Sequence, residues 1–235
     1  MKREEFFKSE KYKDFIEALD ISEGKYDRND VFKDLIIVIA LGLSNRIKYN
    51  EKNEQYALKV MDKYEGNKVA FVLLGHKLKQ LYYKCEGIAD ILGHIYLDLS
   101  LKNKSLKQDF TPINLAKIMN EIQVKLRNDK KIIKEKGFVT VEDSCCGSGV
   151  LLLERANVLK KEGFNPKSEL LVIANDIDPI CAYMTYIQLC IYEIPGVVTI
   201  GNPLIRDIKE TFYTNELLAI DLNIEQETEE KEIEE

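Results

Sequence analysis

The sequence predicts an α/β protein in which a small helical region precedes a doubly wound, mainly parallel sheet. In the first hundred residues, apolar side chains recur at spacings of three and four, the period of amphipathic helices. After Gly137, short β-prone runs alternate with helical segments, as in a βαβαβ unit. Each run ends in a polar or glycine-containing turn. Open parallel sheets bind ligands where their strands end, so we expect a ligand site at these turns.

The helical region is assigned to residues 1–100. Leu74, Leu78 and Leu81 form one apolar series, and a second series continues from Ile88 to Leu99. The longest apolar run, Leu35 to Leu43, has nine residues. A run of this length is too short to span a bilayer and indicates a buried helix, so we expect no membrane association.

Residues 101–210 are assigned to the sheet region. Thr111 followed by Pro112 favours a helix start, because a hydroxyl cap precedes a proline at the first helical position. The last of the three predicted strands is followed by a turn, and the middle strand is apolar throughout, as expected when both faces are buried. The strands are predicted over 138–141, 170–174 and 197–200, separated by helices over about 150–161 and 179–192.

The last segment, residues 211–235, is predicted to be a disordered, acidic tail. Residues 225–235 contain seven glutamates and one lysine, which alone equals the net charge of −6 of the whole chain. The rest of the chain is neutral, so the net charge does not exclude a nucleic-acid partner. The five cysteines lack C-x-x-C spacing and the two histidines are isolated, so no metal site is expected. An odd number of thiols without a signal peptide favours the cytoplasm.

A glycine-containing loop follows the first predicted strand, with the sequence Asp143-Ser144-Cys145-Cys146-Gly147-Ser148-Gly149. The two glycines would let the backbone approach a ligand beside the start of the next helix. A dinucleotide-binding loop would carry a third glycine where Leu152 stands, and a phosphate-binding P-loop would need G-K-[ST]. The glycines alone therefore fit a ligand loop and a plain tight turn equally well.

Polar residues also end the second and third predicted strands. Asp176 can accept hydrogen bonds from both ribose hydroxyls of an adenosine, or it can cap the helix that begins near Pro179. Asn202 can hydrogen-bond the edge of an adenine, or it can belong to an ordinary turn at 201–203. Both interpretations stay open for each residue.

Four stretches, in this order, resemble the N-6 adenine-specific DNA methyltransferases related to the modification subunits of type I restriction-modification systems. They are Asp90 to Tyr96 leading to Phe110-Thr111-Pro112, then Asp143 to Gly149, Asn175 to Pro179, and Gly201 to Leu204. Each stretch is short, but their order and spacing together are specific, and they cover roughly half of the chain.

The resemblance implies a partial Rossmann-like sheet of the class I S-adenosylmethionine (SAM)-dependent methyltransferase type, with SAM as the cofactor. A carboxylate at the cofactor loop would repel a pyrophosphate but suits the cationic methionine end of SAM. The implied cofactor-binding residues are Phe110, Thr111, Pro112, Asp143, Cys145, Cys146, Gly147, Ser148, Gly149, Asp176, Ile177 and Asn202.

The resemblance ends before the family's catalytic tetrapeptide, N/D-P-P-Y/F, which binds the target amine and stacks on the flipped base. Asn202-Pro203-Leu204 has one proline and no aromatic ring, and about thirty residues follow it. Those residues are too few for the remaining strands and a target-recognition domain. The catalytic residues therefore stay unassigned, and we expect the isolated chain not to methylate DNA.

Two hypotheses remain. The first is a SAM-binding protein of the DNA adenine-N6 methyltransferase family that needs a partner, such as a second methyltransferase or a specificity chain, through which it reaches DNA. The alternative is a non-catalytic SAM-binding or regulatory protein that retains the methyltransferase fold. A nucleotide-binding oxidoreductase is disfavoured by Leu152 and by the Phe110-Thr111-Pro112 element.

Overall fold

The computed structural model of the chain describes residues 1–21, 23–101 and 110–218, apart from the side chain of Glu4. The acidic run 225–235, predicted to be disordered, lies outside these residues. Within them, helices surround a four-stranded sheet, so the predicted α/β fold class is confirmed.

Six described helices build the amino-terminal region. They are α1 (Arg3–Phe6), α2 (Glu10–Ala18), α3 (Arg28–Ile47), α4 (Glu51–Asp62), α5 (Lys68–Lys84) and α6 (Ile91–Asp98). The predicted buried apolar helix is α3, which packs against α4 and α5 and buries Leu35, Ile36 and Leu41 almost completely. Among the described residues, no helix combines the length and the apolar character needed to cross a membrane.

The sheet region alternates helices and strands as predicted. Its elements are α7 (Ile113–Arg127), α8 (Asp129–Lys136), β1 (Val139–Asp143), α9 (Val150–Lys161), α10 (Pro166–Glu169), β2 (Leu170–Asp176), α11 (Pro179–Tyr192), β3 (Gly196–Asn202) and β4 (Asp207–Tyr213). The strands lie in the order β1-β2-β3-β4, with β1, β2 and β3 parallel and β4 antiparallel to β3. The three predicted strands are therefore present, in the predicted order along the chain.

The β4 strand was not predicted. Of its seven residues only Phe212 is buried, so its side chains give little apolar signal. It includes residues 211–213, which the sequence assigns to the acidic tail. Main-chain pairing with β3 orders this segment, and main-chain hydrogen bonds leave no signature in residue type.

The outer edge of β1 differs from the edge that β4 closes. No strand among the described residues pairs with this side of β1, where Arg127 of α7 donates a hydrogen bond to the main-chain carbonyl of Thr140 (3.2 Å). Helix α7 packs on α9 but also carries large apolar side chains that are at least 37% exposed. This α7 apolar face consists of Leu115, Ile118, Met119, Ile122 and Leu126.

One hydrophobic core runs through the described parts of both regions. Helix α11 packs on α3 as well as on β2 and β3. The Tyr82 hydroxyl donates a hydrogen bond to Gln188 of α11 (3.0 Å), and the Tyr192 hydroxyl donates to the carbonyl of Ala89 (2.8 Å). These contacts hold α6 beside the sheet. The division of the chain into a helical region, a sheet region and a tail, with boundaries at residues 100 and 210, stays a prediction.

Candidate functional site

A cavity of about 730 Å³ lies at the carboxyl edge of the parallel strands. Parallel pairing brings the ends of β1, β2 and β3 together, because Asp143 lies beside Ala174 and Asp176 lies beside Ile200. The described lining residues are Phe110, Thr111, Glu142, Asp143, Ser144, Cys145, Cys146, Gly147, Val150, Leu151, Asp176, Ile177, Cys181, Asn202, Pro203 and Leu204.

Nine of the twelve predicted cofactor-binding residues line this cavity, and Pro112, Ser148 and Gly149 do not. Pro112 is the exposed N-cap residue of α7. The Ser148 side chain is fully buried and donates a hydrogen bond to Asp90, away from the cavity. Gly149 begins α9 at a φ of +93°, and a Cβ there would lie 3.0 Å from Thr185. Ser148 and Gly149 therefore hold the loop from behind, which their position in the motif does not indicate.

The loop after β1 is held through its main-chain N–H groups. Asp143 Oδ1 accepts a hydrogen bond from the Cys145 N–H (3.0 Å), and the Cys146 N–H donates to the carbonyl of Asn175 in β2 (2.9 Å). Gly147 has a φ of +56°, and a Cβ at this position would lie 3.3 Å from the ring of Phe110. Glycine is therefore favoured both by the left-handed backbone and by the close approach of the aromatic ring.

Asp176 joins this loop to the end of β2. Its Oδ2 accepts a hydrogen bond from the Gly147 N–H (2.8 Å), and its Oδ1 accepts one from the Asp178 N–H (2.9 Å). Each carboxylate oxygen keeps a second lone pair for a ligand hydroxyl. Burial is the main cause that raises the pKa of Asp176, and these two hydrogen bonds offset part of it. The cap of α11 is Asp178, which accepts a hydrogen bond from the Ile180 N–H (2.9 Å), so Asp176 does not cap that helix.

Asn202 ends β3 and belongs to a turn, which is one of the two interpretations that the sequence left open, while its contact with an adenine stays a prediction. Its side-chain oxygen accepts a hydrogen bond from the Leu204 N–H (3.0 Å), which stabilises a turn. The residue also lines the cavity, next to Pro203 and to Leu204, which is 91% exposed. The amide nitrogen of Asn202 is thus available to a ligand while its oxygen holds the turn.

The cavity carries negative charge. Glu142, Asp143 and Asp176 contribute carboxyl groups, and none of its described lining residues is lysine, arginine or histidine. Burial raises the pKa of the Asp143 carboxyl above its ordinary value. This lining disfavours a phosphate-bearing ligand and favours one that presents a cation and hydroxyl groups.

Two buried cysteines, Cys146 and Cys181, contribute bulk rather than reactivity to the cavity. Burial raises the pKa of the Cys146 thiol and of the Cys181 thiol well above their ordinary value, so both remain protonated near neutral pH. Within the described residues, no group of histidine, cysteine, aspartate and glutamate side chains could hold a metal ion.

Sequence reasoning missed seven lining residues: Glu142, Ser144, Val150, Leu151, Cys181, Pro203 and Leu204. Most of these adjoin a predicted site residue in the sequence, so the neighbours of each strand end would have identified them. Cys181 differs because it lies in the first turn of α11. It lines the cavity only because of the direction that this helix takes after β2. No sequence motif marks this direction.

A glycine-bearing loop after the first strand, a carboxylate ending the second and an amide ending the third, all on a parallel sheet, are the features of a Rossmann-like protein. The profile of the N-6 DNA Methylase family matches residues 88–223 of this chain. This match covers more than half of the sequence, and the chain belongs to the N-6 DNA methylase family. The family predicted from the four sequence stretches is confirmed.

A solved structure also resembles the chain at low identity. It is the type I restriction-modification system methyltransferase subunit from Streptococcus thermophilus, with 16% sequence identity and a TM-score of 0.37. The alignment covers 86% of this chain and 46% of that subunit, so the chain spans less than half of the subunit's length. No match was found among curated proteins.

Proposed function

We propose that the chain binds SAM in the cavity at the carboxyl edge of the sheet. The single observation that carries this proposal is the hydrogen bond between the Gly147 N–H and Asp176, which joins the loop after β1 to the carboxylate that ends β2. Family membership supplies the expectation of a SAM cofactor, and the volume of about 730 Å³ falls within the range usual for small-molecule sites.

The residues in the cavity fit the three parts of SAM. Asp176 offers acceptors to the ribose hydroxyls, and Ile177 and Asn202 adjoin it on the side proposed for the adenine. Asp143 offers negative charge to the cationic methionine end, beside Phe110 and Thr111. Bound SAM supplies a methyl group on a positively charged sulfur. We place this activity in the cytoplasm, where the free cysteines stay reduced.

The proposed reaction is N6 methylation of adenine in DNA, carried out together with a partner chain. The five prolines of the sequence include no adjacent pair, so the sequence contains no N-P-P-Y tetrapeptide. The groups that position the target amine must then come from elsewhere, and positioning accounts for roughly 7–11 kcal/mol of such a barrier. We propose that a second methyltransferase or a specificity chain provides these groups and most of the contacts to DNA.

The outer edge of β1 and the α7 apolar face support a partner at this position. Parallel sheets are normally covered on both faces and protected at their edges. Leu126, at the end of the α7 apolar face, also lines a groove with Thr140 and Val141 of β1. An apolar helix face beside a strand edge that no described strand pairs with is the kind of surface that a second chain covers.

The cofactor proposal is tested by titration calorimetry with SAM and with its demethylated product. Asp176→Ala should weaken binding by about 1.5–3 kcal/mol, the range for hydrogen bonds to a charged group. Asp14→Ala is the control, because Asp14 is an exposed carboxylate on α2 that does not line the cavity. If wild-type protein binds neither compound, the cofactor proposal fails; if Asp176→Ala binds like wild type, the assignment of that residue fails.

The partner proposal is tested by methyl transfer to mixed-sequence DNA, with and without candidate partner chains. The double variant Ile118→Glu/Ile122→Glu places charge on the α7 apolar face and should abolish partner-dependent transfer while SAM binding is retained. Val69→Glu/Val72→Glu is the matched control, since both residues are exposed on α5. Robust methylation by the isolated chain would refute the need for a partner.

The alternative function is a non-catalytic SAM-binding or regulatory protein. The observation that favours it is again the missing tetrapeptide. The two functions share SAM binding and differ in their response to partners. Methyl transfer that appears when a partner is added supports the enzyme, whereas suppression of a partner's own activity supports the regulator.

A further inference from the structure

The stretch Asp90 to Tyr96 matches the family pattern, yet Asp90 does not line the cavity. We propose that Asp90 is a positioning residue that fixes the loop after β1 from behind and thereby sets the affinity for SAM. This inference rests on the proposed SAM site and adds that the segment leading into α6 controls it.

Asp90 is the N-cap of α6 and holds three donors. Its Oδ2 accepts a hydrogen bond from the Ser148 hydroxyl (2.5 Å). Its Oδ1 accepts hydrogen bonds from the Gly93 N–H (2.9 Å) and from Gln188 Nε2 (2.8 Å). A single carboxylate therefore links the start of α6, the loop after β1 and helix α11.

Gln188 holds the same serine from a second direction. Its Nε2 donates a hydrogen bond to the carbonyl of Ser148 (2.8 Å), and its Oε1 accepts one from the Tyr82 hydroxyl (3.0 Å). Ser148 is thus fixed through its side chain and through its main chain. Ser148 is fully buried, where an unsatisfied polar group is costly, so the two bonds together favour this one orientation of the serine.

The packing around Asp90 is too tight for any side chain at position 93. A Cβ built on Gly93 would overlap the carboxylate of Asp90 and the hydroxyl of Ser148. The glycine of the D-I-L-G sequence is therefore explained by the approach of the loop to α6. This close approach is a requirement of the contact with Ser148, since α6 could otherwise carry a helix-forming residue there.

The position of Ser148 determines the geometry of the cavity wall. Ser148 follows Gly147, whose N–H donates to Asp176 and whose carbonyl accepts a hydrogen bond from Thr185 Oγ1 (2.9 Å). A serine that is free to turn would carry the Gly147 peptide with it. Loss of Asp90 should therefore loosen the Gly147–Asp176 contact without removing any group that lines the cavity.

The test compares SAM affinity in Asp90→Ala, Asp90→Asn and wild-type protein. Asp90→Ala should raise the Kd at least about tenfold, equivalent to ~1.4 kcal/mol. Asp90→Asn should recover most of the affinity, because its oxygen can accept from Gly93 and Gln188 while its NH₂ donates to the Ser148 hydroxyl. Ser148→Ala removes the serine hydroxyl alone and should raise the Kd about three- to tenfold.

Two further measurements separate positioning from general stability. Asp34→Ala is the control, because Asp34 is also buried and bonded, to the Tyr64 hydroxyl (2.8 Å), but lies far from the loop in sequence and does not line the cavity. Hydrogen exchange of residues 143–149 in the absence of SAM should be faster in Asp90→Ala and unchanged in Asp34→Ala. The Asp90→Ala/Ser148→Ala double variant should bind no worse than Asp90→Ala, since both changes break the same link.

The outcomes are distinguishable. If wild-type protein does not bind SAM, the proposed function fails before this inference is reached. If wild type binds and folded Asp90→Ala binds equally well, Asp90 is not a positioning residue. If Asp90→Ala does not fold, Ser148→Ala decides, because unchanged affinity in that variant overturns the inference.

Discussion

Arg155 of α9 offers a measurable test of what holds the site region together. The side chains of Arg155 and Asp129 both have no exposed surface, and Nη1 of the arginine lies 2.8 Å from Oδ2 of the aspartate. A second nitrogen, Nη2, donates a hydrogen bond to Gln123 of α7 (2.6 Å). This arginine therefore ties α9, which begins at the cofactor loop, to α7, which begins beside Phe110 and Thr111.

Replacing Arg155 with Met should be strongly destabilising. The change leaves Asp129 buried, with Arg127 as a more distant neighbour whose Nε lies 3.7 Å from Oδ1. Removing one member of a buried pair costs about 3–5 kcal/mol, a large part of the roughly 5–15 kcal/mol that stabilises a whole protein. At about 2–4 °C per kcal/mol for a chain of this size, Tm should fall by about 6–20 °C.

The assay is urea unfolding together with calorimetric melting. Lys161→Met is the control on the same helix, because its pair with Glu121 is exposed and long (4.0 Å) and should contribute at most about 1 kcal/mol. The double variant Asp129→Leu/Arg155→Met should be more stable than Arg155→Met alone, since no buried charge is left behind. If Arg155→Met costs no more than Lys161→Met, the reasoning about the buried pair is wrong.

Three further predictions concern the cavity. Affinity for SAM should fall as the pH is lowered from neutral into the acidic range, because burial raises the pKa of Asp143 and Asp176 and protonation removes their charge. The same raised pKa values contribute stability that is present at low pH and lost as the pH rises, so these two groups do not promote acid unfolding. Constant SAM affinity from neutral to acidic pH, measured by calorimetry, would contradict the role of these two carboxyl groups in binding. Gly147→Ala should cost about 1–2 kcal/mol of stability through its positive φ and should also weaken SAM binding, because its Cβ would press on Phe110. Gly163→Ala, with a φ of +91° and open space around it, should cost similar stability and leave binding unchanged. The double variant Cys145→Ser/Cys146→Ser should bind SAM normally in calorimetry, and lost binding in a folded variant would give the thiols a role, one that the raised pKa of Cys146 does not suggest.

The parts of the fold that were predictable from sequence depend on side-chain pattern. The apolar run of β2 and the turn residues after β1, β2 and β3 identified the parallel strands and the edge at which the cavity lies. The family followed from the same turns, because ligand contact constrains which residues can stand there.

The remaining features depend on the direction of helices and on main-chain bonds. Asp176 and Asp178 are both aspartates near the start of α11, and the sequence does not distinguish their roles. Only the path of the chain shows that Asp178 caps α11, while Asp176 accepts a hydrogen bond from the Gly147 N–H. Ser148 stands within the loop motif but turns toward Asp90, a residue 58 positions earlier. Contacts between residues so distant in sequence leave no local pattern to recognise.

The side chain of Arg127 covers part of the outer edge of β1. Its guanidinium donates a hydrogen bond to one carbonyl of the strand and forms a long ion pair with Asp129 (3.7 Å), and its side chain is 45% exposed, so moving it aside breaks two contacts. An incoming strand could replace that hydrogen bond with main-chain pairing, at a cost of about one charged hydrogen bond, 1.5–3 kcal/mol. Assembly at this edge would then be an exchange of partners rather than a simple addition. Such exchange favours associations that form and dissociate readily, and it discourages indiscriminate pairing between copies.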